Sequence, residues 1–315
     1  MRQRVFILSE NIQKWGNGNT IVTHNYAKDF GNKLENLFDC ILVDAPCSGE
    51  GMFRKDAGAV EEWSMKNVSE CVARQCEILD EVWDALKPGG VLIYSTCTFN
   101  QEENEQNVKW IVEELGAEVL PIAYDPNWGI VEGQVGYHFY PHKVKGEGLY
   151  MCALRKLGAP TTFRMPKTKV QAPQTKIDGE AEMRSWLKHP DRWVIRQQER
   201  FMSAYPAKYK ELIEYISTQF ICISTGFGIG ELRGKGVVPQ HSLAMLKDIK
   251  KDAFVCAALT LEQALAYLRN EALVLEGVKQ GVVLVTYEGV PLGFVKNVGN
   301  HCNNLYPKEW RIRKL

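Results

Sequence analysis

The apolar residues of the N-terminal half form short continuous runs that alternate with longer stretches at helical spacing. The run Cys40-Ile41-Leu42-Val43 predicts a buried inner strand that ends at Asp44. Apolar side chains recur mostly at helical intervals from Val68 to Leu86, and Pro88-Gly89-Gly90 is predicted to end that helix. A second buried strand is predicted from Val91 to Ser95.

The alternation of strands and helices extends on both sides of this segment. Asn100 is placed to cap a helix whose third residue is Glu103, with an apolar stripe from Val108 to Leu115. Val5 to Trp15 is predicted to be a helix, and Thr20 to Thr23 a short strand. Such alternation is typical of an open parallel α/β sheet, in which ligands bind beyond the carboxyl ends of the strands.

A change of composition separates this half from the remainder of the chain. Residues 157–179 are rich in Pro, Thr, Lys and Gln and poor in large apolar residues, as in an interdomain linker. We therefore predict one domain over residues 1–156, a linker over 157–179 and a mixed α+β region over 180–315. The elements predicted in the last region are a helix at 212–220, a glycine-rich turn at 226–236, a helix at 261–269 and a hairpin of 282–287 and 290–295.

Charge and cysteine content narrow the class of protein. The 38 basic and 38 acidic side chains cancel, so a nucleic acid must be bound by a local basic patch. The nine cysteines are an odd number without a CxxC pair, which disfavours a secreted disulfide framework and favours the reducing cytoplasm. No apolar run approaches the roughly 20 residues that span a bilayer, so no membrane partner is expected.

Two cysteines directly follow predicted buried strands. Cys47 lies in the segment Asp44-Ala45-Pro46-Cys47-Ser48-Gly49-Glu50-Gly51, and Cys97 lies in Tyr94-Ser95-Thr96-Cys97-Thr98. A thiol at a strand end can face a cleft, and a thiolate is a suitable nucleophile for a soft electrophilic carbon. The alternative is that each thiol is a small buried apolar group.

The two segments together resemble the paired-cysteine signature of the Sun-type RNA 5-methylcytosine methyltransferases. Asp-Ala-Pro-Cys-Ser-Gly at 44–49 is followed about fifty positions later by Ser-Thr-Cys-Thr at 95–98. Further segments resemble the bacterial RsmF-like subgroup, which modifies small-subunit ribosomal RNA: 50–55, 87–90, 103–105, 141–142, 146–148 and 306–310. The resemblance covers nearly the whole chain.

The resemblance implies transfer of a methyl group from S-adenosylmethionine to carbon 5 of a cytosine. Cys97 is implied as the nucleophile that adds to carbon 6, which makes carbon 5 sufficiently electron-rich. Cys47 is implied to assist loss of the carbon-5 proton and release of the enzyme. Asp44 is implied to contact the cofactor or the pyrimidine edge, and its alternative role is a helix cap at the strand end.

The implied partner is RNA, either ribosomal RNA or the small ribosomal subunit, and no DNA is expected. The target cytosine must leave any base stack to be reached from both faces. The candidate phosphate contacts are Arg54, Lys55, His142 and Lys143. The alternative is a solvated surface side chain without a functional role, or, for His142, a loop histidine with satisfied hydrogen bonds. The C-terminal region resembles a PUA-like RNA-binding module whose candidate basic face is Lys296, Lys308, Arg311, Arg313 and Lys314.

The fold class implied is a Rossmann-like class I methyltransferase α/β sheet that lacks its first strands, followed by the PUA-like module. The family carries a glycine-rich cofactor loop and an acidic ribose-binding residue upstream of the segment at which this chain begins. Tyr26 stands where the family has an acidic residue near the adenine, with Asp29 three residues on. The strand that ends at Asp44 would then carry an unpaired apolar edge, which predicts low stability or completion by another polypeptide.

Two functional hypotheses remain open from the sequence. The first is an S-adenosylmethionine-dependent RNA cytosine-5 methyltransferase in which Cys97 and Cys47 carry the chemistry. The second is a catalytically silent RNA-binding remnant of such an enzyme, because neither the glycine-rich loop nor the acidic ribose-binding residue occurs in the chain.

Overall fold

The computed structural model describes residues 2–161, 163–166, 177–234 and 236–313. The chain divides into two compact units. We call Asn25–Pro166 the sheet unit, and Met1–His24 together with Lys167–Leu315 the composite unit. Within the described ranges, no helix combines the length and the apolar character needed to cross a membrane.

Helices and strands follow each other through most of the chain. The α-helices are α1 (Arg2–Lys14), α2 (Ala27–Lys33), α3 (Ala57–Glu62), α4 (Met65–Trp83), α5 (Asn107–Glu114), α6 (Glu180–Ser185), α7 (Lys210–Gln219), α8 (His241–Met245) and α9 (Leu261–Leu268). The strands are β1 (Ile21–Thr23), β2 (Phe38–Asp44), β3 (Leu86–Thr96), β4 (Ala117–Leu120), β5 (Val131–Glu132), β6 (Tyr137–Phe139), β7 (Leu149–Lys156), β8 (Trp193–Gln198), β9 (Phe201–Pro206), β10 (Cys222–Thr225), β11 (Phe227–Arg233), β12 (Gly236–Pro239), β13 (Val255–Ala258), β14 (Gly281–Tyr287), β15 (Val290–Asn297) and β16 (Cys302–Asn304).

The sheet unit is built on one mixed sheet with the strand order β2-β3-β7-β6-β5, and β4 also pairs with β7. β2 and β3 run parallel, whereas β7 is antiparallel to β3, β4 and β6. The α/β alternation predicted from the sequence is therefore confirmed, but the expectation of a parallel sheet is wrong beyond the first strand pair. Hairpin connections reverse the chain here, because residues 133–136 join β5 to β6 and residues 140–148 join β6 to β7.

Helix α4 illustrates how the sequence produces the core of the sheet unit. The Ser64 hydroxyl accepts a hydrogen bond from the Asn67 N–H and caps the helix. Val68, Leu79 and Trp83 then recur on one buried face. Together with apolar residues of β3, α5 and β7 they form the core: Leu86, Leu92, Tyr94, Val108, Ile111, Tyr150, Cys152 and Leu154.

The composite unit contains two four-stranded sheets with the orders β12-β11-β9-β8 and β13-β14-β15-β16. The hairpin predicted around residues 288–289 is confirmed, because Glu288 and Gly289 both adopt positive φ, at 49° and 77°. Such a pair of positive φ values matches the two-residue turn favoured between antiparallel strands.

The first 24 residues belong to the composite unit because β1 pairs antiparallel with β10, with Ile21 opposite Thr225. The domain boundaries drawn from the sequence, 1–156, 157–179 and 180–315, group these residues differently and stay a prediction. Residues 167–176 of the predicted linker lie outside the described part of the chain.

Two glycine-containing segments differ from their sequence-based interpretation. Helix α4 ends at Trp83, and Pro88-Gly89-Gly90 lies inside β3, where the register changes from Phe38 opposite Leu86 to Cys40 opposite Val91. The turn expected at 226–236 is mostly strand β11, which forms a ladder with β9 and β12. Local glycine content suggested turns, but inter-strand pairing decides both segments.

The apolar run of β2 predicted an inner strand, which is wrong within the described sheet, whereas the unpaired edge expected from the family resemblance is observed. It lies at one end of the strand order, and β3 is its neighbour. Leu42 is 61% exposed there. Leu92 of β3, which lies opposite Ile41 in the register, is fully buried. An exposed apolar side chain on an edge strand favours association with other strands.

We expect Leu42→Lys to reduce self-association without a large loss of stability. A charge on an edge strand opposes strand-to-strand pairing, and a surface substitution usually changes the free energy of unfolding by less than about 0.5 kcal/mol. Sedimentation velocity and urea unfolding measure the two effects. The matched change Leu92→Lys should unfold the protein, and equal association of Leu42→Lys and the original chain would contradict the expectation.

Candidate active site

The parallel pairing of β2 and β3 brings the two cysteine segments together. Asp44 lies opposite Ser95 in the register, so both strands end at the same edge of the sheet. The Gly51 N–H then donates a hydrogen bond to the Cys97 carbonyl at 2.8 Å. A Cβ atom on Gly51 would lie 2.6 Å from that carbonyl oxygen, so a larger residue would separate the two segments.

The result is a close pair of thiols. The Sγ atoms of Cys47 and Cys97 lie 3.1 Å apart, and both side chains are half-buried. All nine cysteines of the chain are free. The structure therefore brings together the two cysteines that the sequence singled out.

The two thiols have opposite ionisation tendencies. The hydrogen bond from the Cys47 thiol lowers the pKa of Cys97 to about 7, against the opposing effects of burial and of the Asp44 charge. The same hydrogen bond, together with burial, raises the pKa of Cys47 far above its ordinary range. Near neutral pH, Cys97 is accordingly the more readily ionised thiol of the pair, and Cys47 keeps its proton.

A buried carboxylate, Glu103, connects the two segments beneath the thiols. Its Oε2 accepts hydrogen bonds from the Ser48 N–H at 3.0 Å and from Gln75 Nε2 at 2.7 Å, and its Oε1 accepts one from Asn100 Nδ2 at 2.8 Å. Glu103 is fully buried. Ser48 follows Cys47 and Asn100 lies three residues after Cys97, so one carboxylate holds both loops.

The loop after Cys97 is held by a second carboxylate, that of Glu50. It accepts hydrogen bonds from the backbone N–H groups of Phe99 at 2.7 Å and Asn100 at 3.1 Å, and from Trp63 Nε1 at 3.1 Å. Burial alone would raise the pKa of Glu50, but these hydrogen bonds outweigh it and lower the pKa. The carboxylate is therefore ionised at neutral pH.

The sequence predicted Glu103 only as the third residue of a helix. It predicted no role for Glu50, which belongs to a segment that resembles the family. The Asn100 Oδ1 accepts from the Glu103 N–H at 2.9 Å, as a capping side chain does, one residue before Gln101, the N-cap residue of the helical segment Glu102–Gln106 that precedes α5. The available signal was the presence of acidic residues among predicted core positions. A buried carboxylate requires several donors, which mark it as a structural anchor.

Asp44 lies at the exposed end of β2, beside the thiol pair. The Ser95 hydroxyl donates a hydrogen bond to its Oδ1 at 3.4 Å. Among the described residues no backbone N–H donates to this carboxylate, which disfavours the helix-cap alternative. Its charge opposes ionisation of Cys97, so the carboxylate is within electrostatic reach of the nucleophile.

Tyr26 occupies a different position, before α2. Its side chain is 76% exposed, and the Lys28 ammonium lies 5.7 Å from the ring centroid. The Asp29 carboxylate accepts from Asn25 Nδ2 and from the Tyr26 N–H, and the Asn25 contact is the main reason that its pKa is lowered. No hydrogen bond or ring contact between described residues joins Tyr26 to Asp44 or to the cysteines.

The candidate RNA contacts are also placed by the structure. His142 and Lys143 are exposed, whereas Arg54 donates to the Gly146 carbonyl at 3.4 Å and Lys55 pairs with Glu147 at 3.3 Å. In the C-terminal region, four candidate cations are exposed and form no ion pair with a described carboxylate: Lys296, Lys308, Arg311 and Arg313. Lys314 lies outside the described residues.

We expect Cys47→Ala to raise the pKa of Cys97. The substitution removes the thiol donor that stabilises the Cys97 thiolate, so the pKa should move from about 7 toward an ordinary thiol value of about 8.5. The pH dependence of Cys97 alkylation by iodoacetamide, followed by peptide mass spectrometry, measures this. Cys256→Ala, at an exposed thiol of the composite unit, is the control, and an unchanged midpoint in Cys47→Ala would exclude the assigned hydrogen bond.

We expect Glu103→Gln to destabilise the chain by about 1–3 kcal/mol. An amide NH₂ in this position would face donors that now bind the carboxylate, and at least one hydrogen bond would be lost. Urea unfolding measures the change. The neighbouring half-buried Glu102 provides the matched control Glu102→Gln, and equal stability of the two variants would show that the buried carboxylate is dispensable.

The chain matches two models of known protein families. The model described as 16S rRNA methyltransferase RsmB/F matches residues 1–155, and the model described as Methyltransferase RsmF PUA domain matches residues 254–312. The second match covers β13 to β16 and identifies this region as a PUA domain. The PUA-like module expected from the sequence is therefore confirmed.

Similar proteins extend over nearly all of the chain. Ribosomal RNA small subunit methyltransferase F of Aliivibrio fischeri (strain MJ11) is 34% identical over 97% of this chain and 66% of its own length. The corresponding protein of Klebsiella pneumoniae (strain 342) is 32% identical over 97% of this chain and 65% of its own length. The chain thus spans slightly less than two thirds of these relatives.

Solved structures align with a smaller part of the chain. A methyltransferase homolog from Pyrococcus horikoshii is 29% identical, covers 42% of this chain and 44% of that chain, and has a TM-score of 0.36. The family matches and the relatives agree with the paired-cysteine segments and with the C-terminal module. Residues 1–155 are thus similar to the RsmB/F family of 16S rRNA methyltransferases, and residues 254–312 are similar to the PUA domain of RsmF.

Proposed function

We propose that this chain is an S-adenosylmethionine-dependent RNA cytosine-5 methyltransferase that acts on small-subunit ribosomal RNA. The observation that supports this most strongly is the 3.1 Å approach of the Cys47 and Cys97 Sγ atoms at the ends of two parallel strands. The names of the relatives, which are ribosomal RNA small subunit methyltransferases, support the substrate.

Cys97 is the nucleophile in this proposal. Its thiolate adds to carbon 6 of cytosine, which forms the S–C6 bond and moves the electron pair of the C5=C6 bond onto carbon 5. When bound, S-adenosylmethionine supplies an electrophilic methyl group there. Because the pKa of Cys97 is about 7, a large fraction of the thiol is ionised at neutral pH without a separate general base.

Cys47 completes the reaction through a change in its own acidity. Its raised pKa results mainly from the hydrogen bond to Cys97. Formation of the S–C6 bond removes the Cys97 charge, so the pKa of Cys47 falls and its thiol releases its proton to solvent. The Cys47 thiolate formed in this way then accepts the carbon-5 proton. Loss of that proton restores the C5=C6 bond as the S–C6 bond breaks and Cys97 leaves as a thiolate.

Asp44 and Tyr26 are the candidate cofactor contacts. Asp44 presents an exposed carboxylate at the carboxyl end of β2, a position that suits a cationic ligand above the sheet edge. Tyr26 presents an exposed ring, which suits stacking against an adenine but cannot accept hydrogen bonds as a carboxylate does. The Asp44 carboxylate thus suits the positive charge of S-adenosylmethionine, and the Tyr26 ring suits its adenine base.

RNA is the proposed partner of both units. The PUA domain contributes exposed, unpaired cations for the phosphate backbone, among them Lys296 and Arg311. The nine free thiols suit a reducing cytoplasm, where the active-site pair would stay reduced.

We expect RNA that contains 5-fluorocytosine to form a covalent adduct with the chain in the presence of S-adenosylmethionine. Fluorine cannot leave carbon 5 as a proton does, so the S–C6 bond persists and is visible on a denaturing gel. Cys97→Ala should form no adduct. Cys47→Ala should accumulate an adduct even with ordinary cytosine, because the carbon-5 proton is not removed.

The exposed thiol of Cys256 again provides a control, because Cys256→Ala should behave like the original chain. An adduct with Cys97→Ala would assign the nucleophile to another residue. RNA binding by all variants, with neither an adduct nor methyl transfer in the original chain, would favour the catalytically silent RNA-binding remnant.

A further inference from the structure

Three aromatic rings form a column beside the candidate active site. His138 lies in β6, Tyr140 follows the strand, and His142 lies in the turn after it, and the three rings stack in this order. The centroids of His138 and Tyr140 are 5.0 Å apart with an interplanar angle of 3°, and those of Tyr140 and His142 are 5.5 Å apart with an angle of 23°. The outermost ring of the column is therefore the His142 imidazole, which stacks on the Tyr140 ring at an angle of 23°.

The inner end of the column is firmly anchored. His138 Nε2 and Glu105 Oε1 are 2.7 Å apart, and the two side chains are only 5% and 6% exposed. The Tyr150 ring packs against His138 with the centroids 4.9 Å apart. A ring system fixed in this way loses little conformational entropy when a ligand stacks on it.

The outer end of the column faces solvent. His142 is exposed, and the chain turns back after it, because the N–H groups of Lys143 and Val144 donate to the Tyr140 carbonyl at 2.9 and 3.0 Å. Lys143 and Lys145 are also exposed on this turn. An open aromatic face beside lysines is the combination that binds single-stranded nucleic acid.

The column stands close to the nucleophile. The Phe99 ring lies 5.9 Å from that of Tyr140, and Phe99 follows Cys97 by two residues, a span of about 7 Å in extended chain. A Cβ atom on Gly51 would lie within 3.1 Å of both the Cys97 and the Glu147 carbonyl oxygens, so the turn at 142–148 adjoins the strand end. The turn that carries His142 therefore lies beside the loop that follows Cys97, on the path of an RNA strand that reaches Cys97.

We propose that the outer face of His142 stacks on the nucleobase that flanks the target cytosine. This inference rests on the proposed function, because it presumes that RNA reaches Cys97. Stacking on the flanking base holds the strand after the cytosine has left its own stack, and it is tolerant of base identity because every base has a π-face. A phosphate contact by His142 is the competing explanation, and it requires charge rather than a ring.

Binding of two labelled single-stranded RNAs of nine nucleotides separates these explanations. One RNA has a central cytosine flanked by adenines, and the other has abasic residues in place of the two flanking bases. We expect the original chain to bind the first RNA about tenfold more tightly, as fluorescence anisotropy would measure. His142→Ala should abolish this preference, His142→Trp should retain it, and His142→Lys should abolish it although lysine supplies a positive charge for a phosphate.

His301→Ala is the matched control, since His301 is an exposed histidine whose ring contacts no other aromatic ring among the described residues. Thermal unfolding verifies that each variant is folded. Equal binding of both RNAs by the original chain, or an unchanged preference in His142→Ala or His142→Lys, would overturn the stacking role and leave the proposed function standing. Absence of binding to either RNA would overturn the proposed function together with this inference.

Discussion

The buried Glu103 carboxylate is the interaction on which the candidate active site depends. A charge that is removed from water must be matched by donors, and Glu103 takes them from both cysteine loops and from α4. The geometry of the two thiols is therefore coupled to the packing of the sheet unit. Movement of either loop would leave part of a carboxylate unsatisfied, at a cost of several hydrogen bonds.

The coupling of the two thiols gives them different roles from nearly equal surroundings. A proton shared across 3.1 Å cannot satisfy both sulfur atoms, so one pKa falls and the other rises. The pKa of Cys97 is the lowered one, so Cys97 carries the charge and Cys47 donates the hydrogen bond. In the proposed reaction Cys97 becomes an uncharged thioether, which removes the main cause of the raised pKa of Cys47. The contact between the two sulfur atoms therefore first favours the Cys97 thiolate and later allows Cys47 to ionise and remove the carbon-5 proton.

The part of the site that was predictable from the sequence consists of residues in local motifs. Cys47, Cys97 and Asp44 directly follow strands, and parallel strands end at a common edge, so their proximity follows from motif and topology together. Glu50, Gln75 and Glu103 could not be assigned in this way, because their partners are up to fifty-five positions away in the chain. Tyr26 was predicted near the cofactor from resemblance alone, and its described contacts remain local to α2.

The sequence by itself determined the type of most elements, the cysteine loops and the hairpin at 288–289, because these depend on periodicity, caps and turn residues within a few positions. Only the tertiary structure decided that β7 runs antiparallel to β3 and that β1 pairs with β10. Pairing partners are chosen by burial and backbone hydrogen bonding between segments distant in the chain. Local patterns predict that a strand forms, but they carry no information about the strand that will lie beside it.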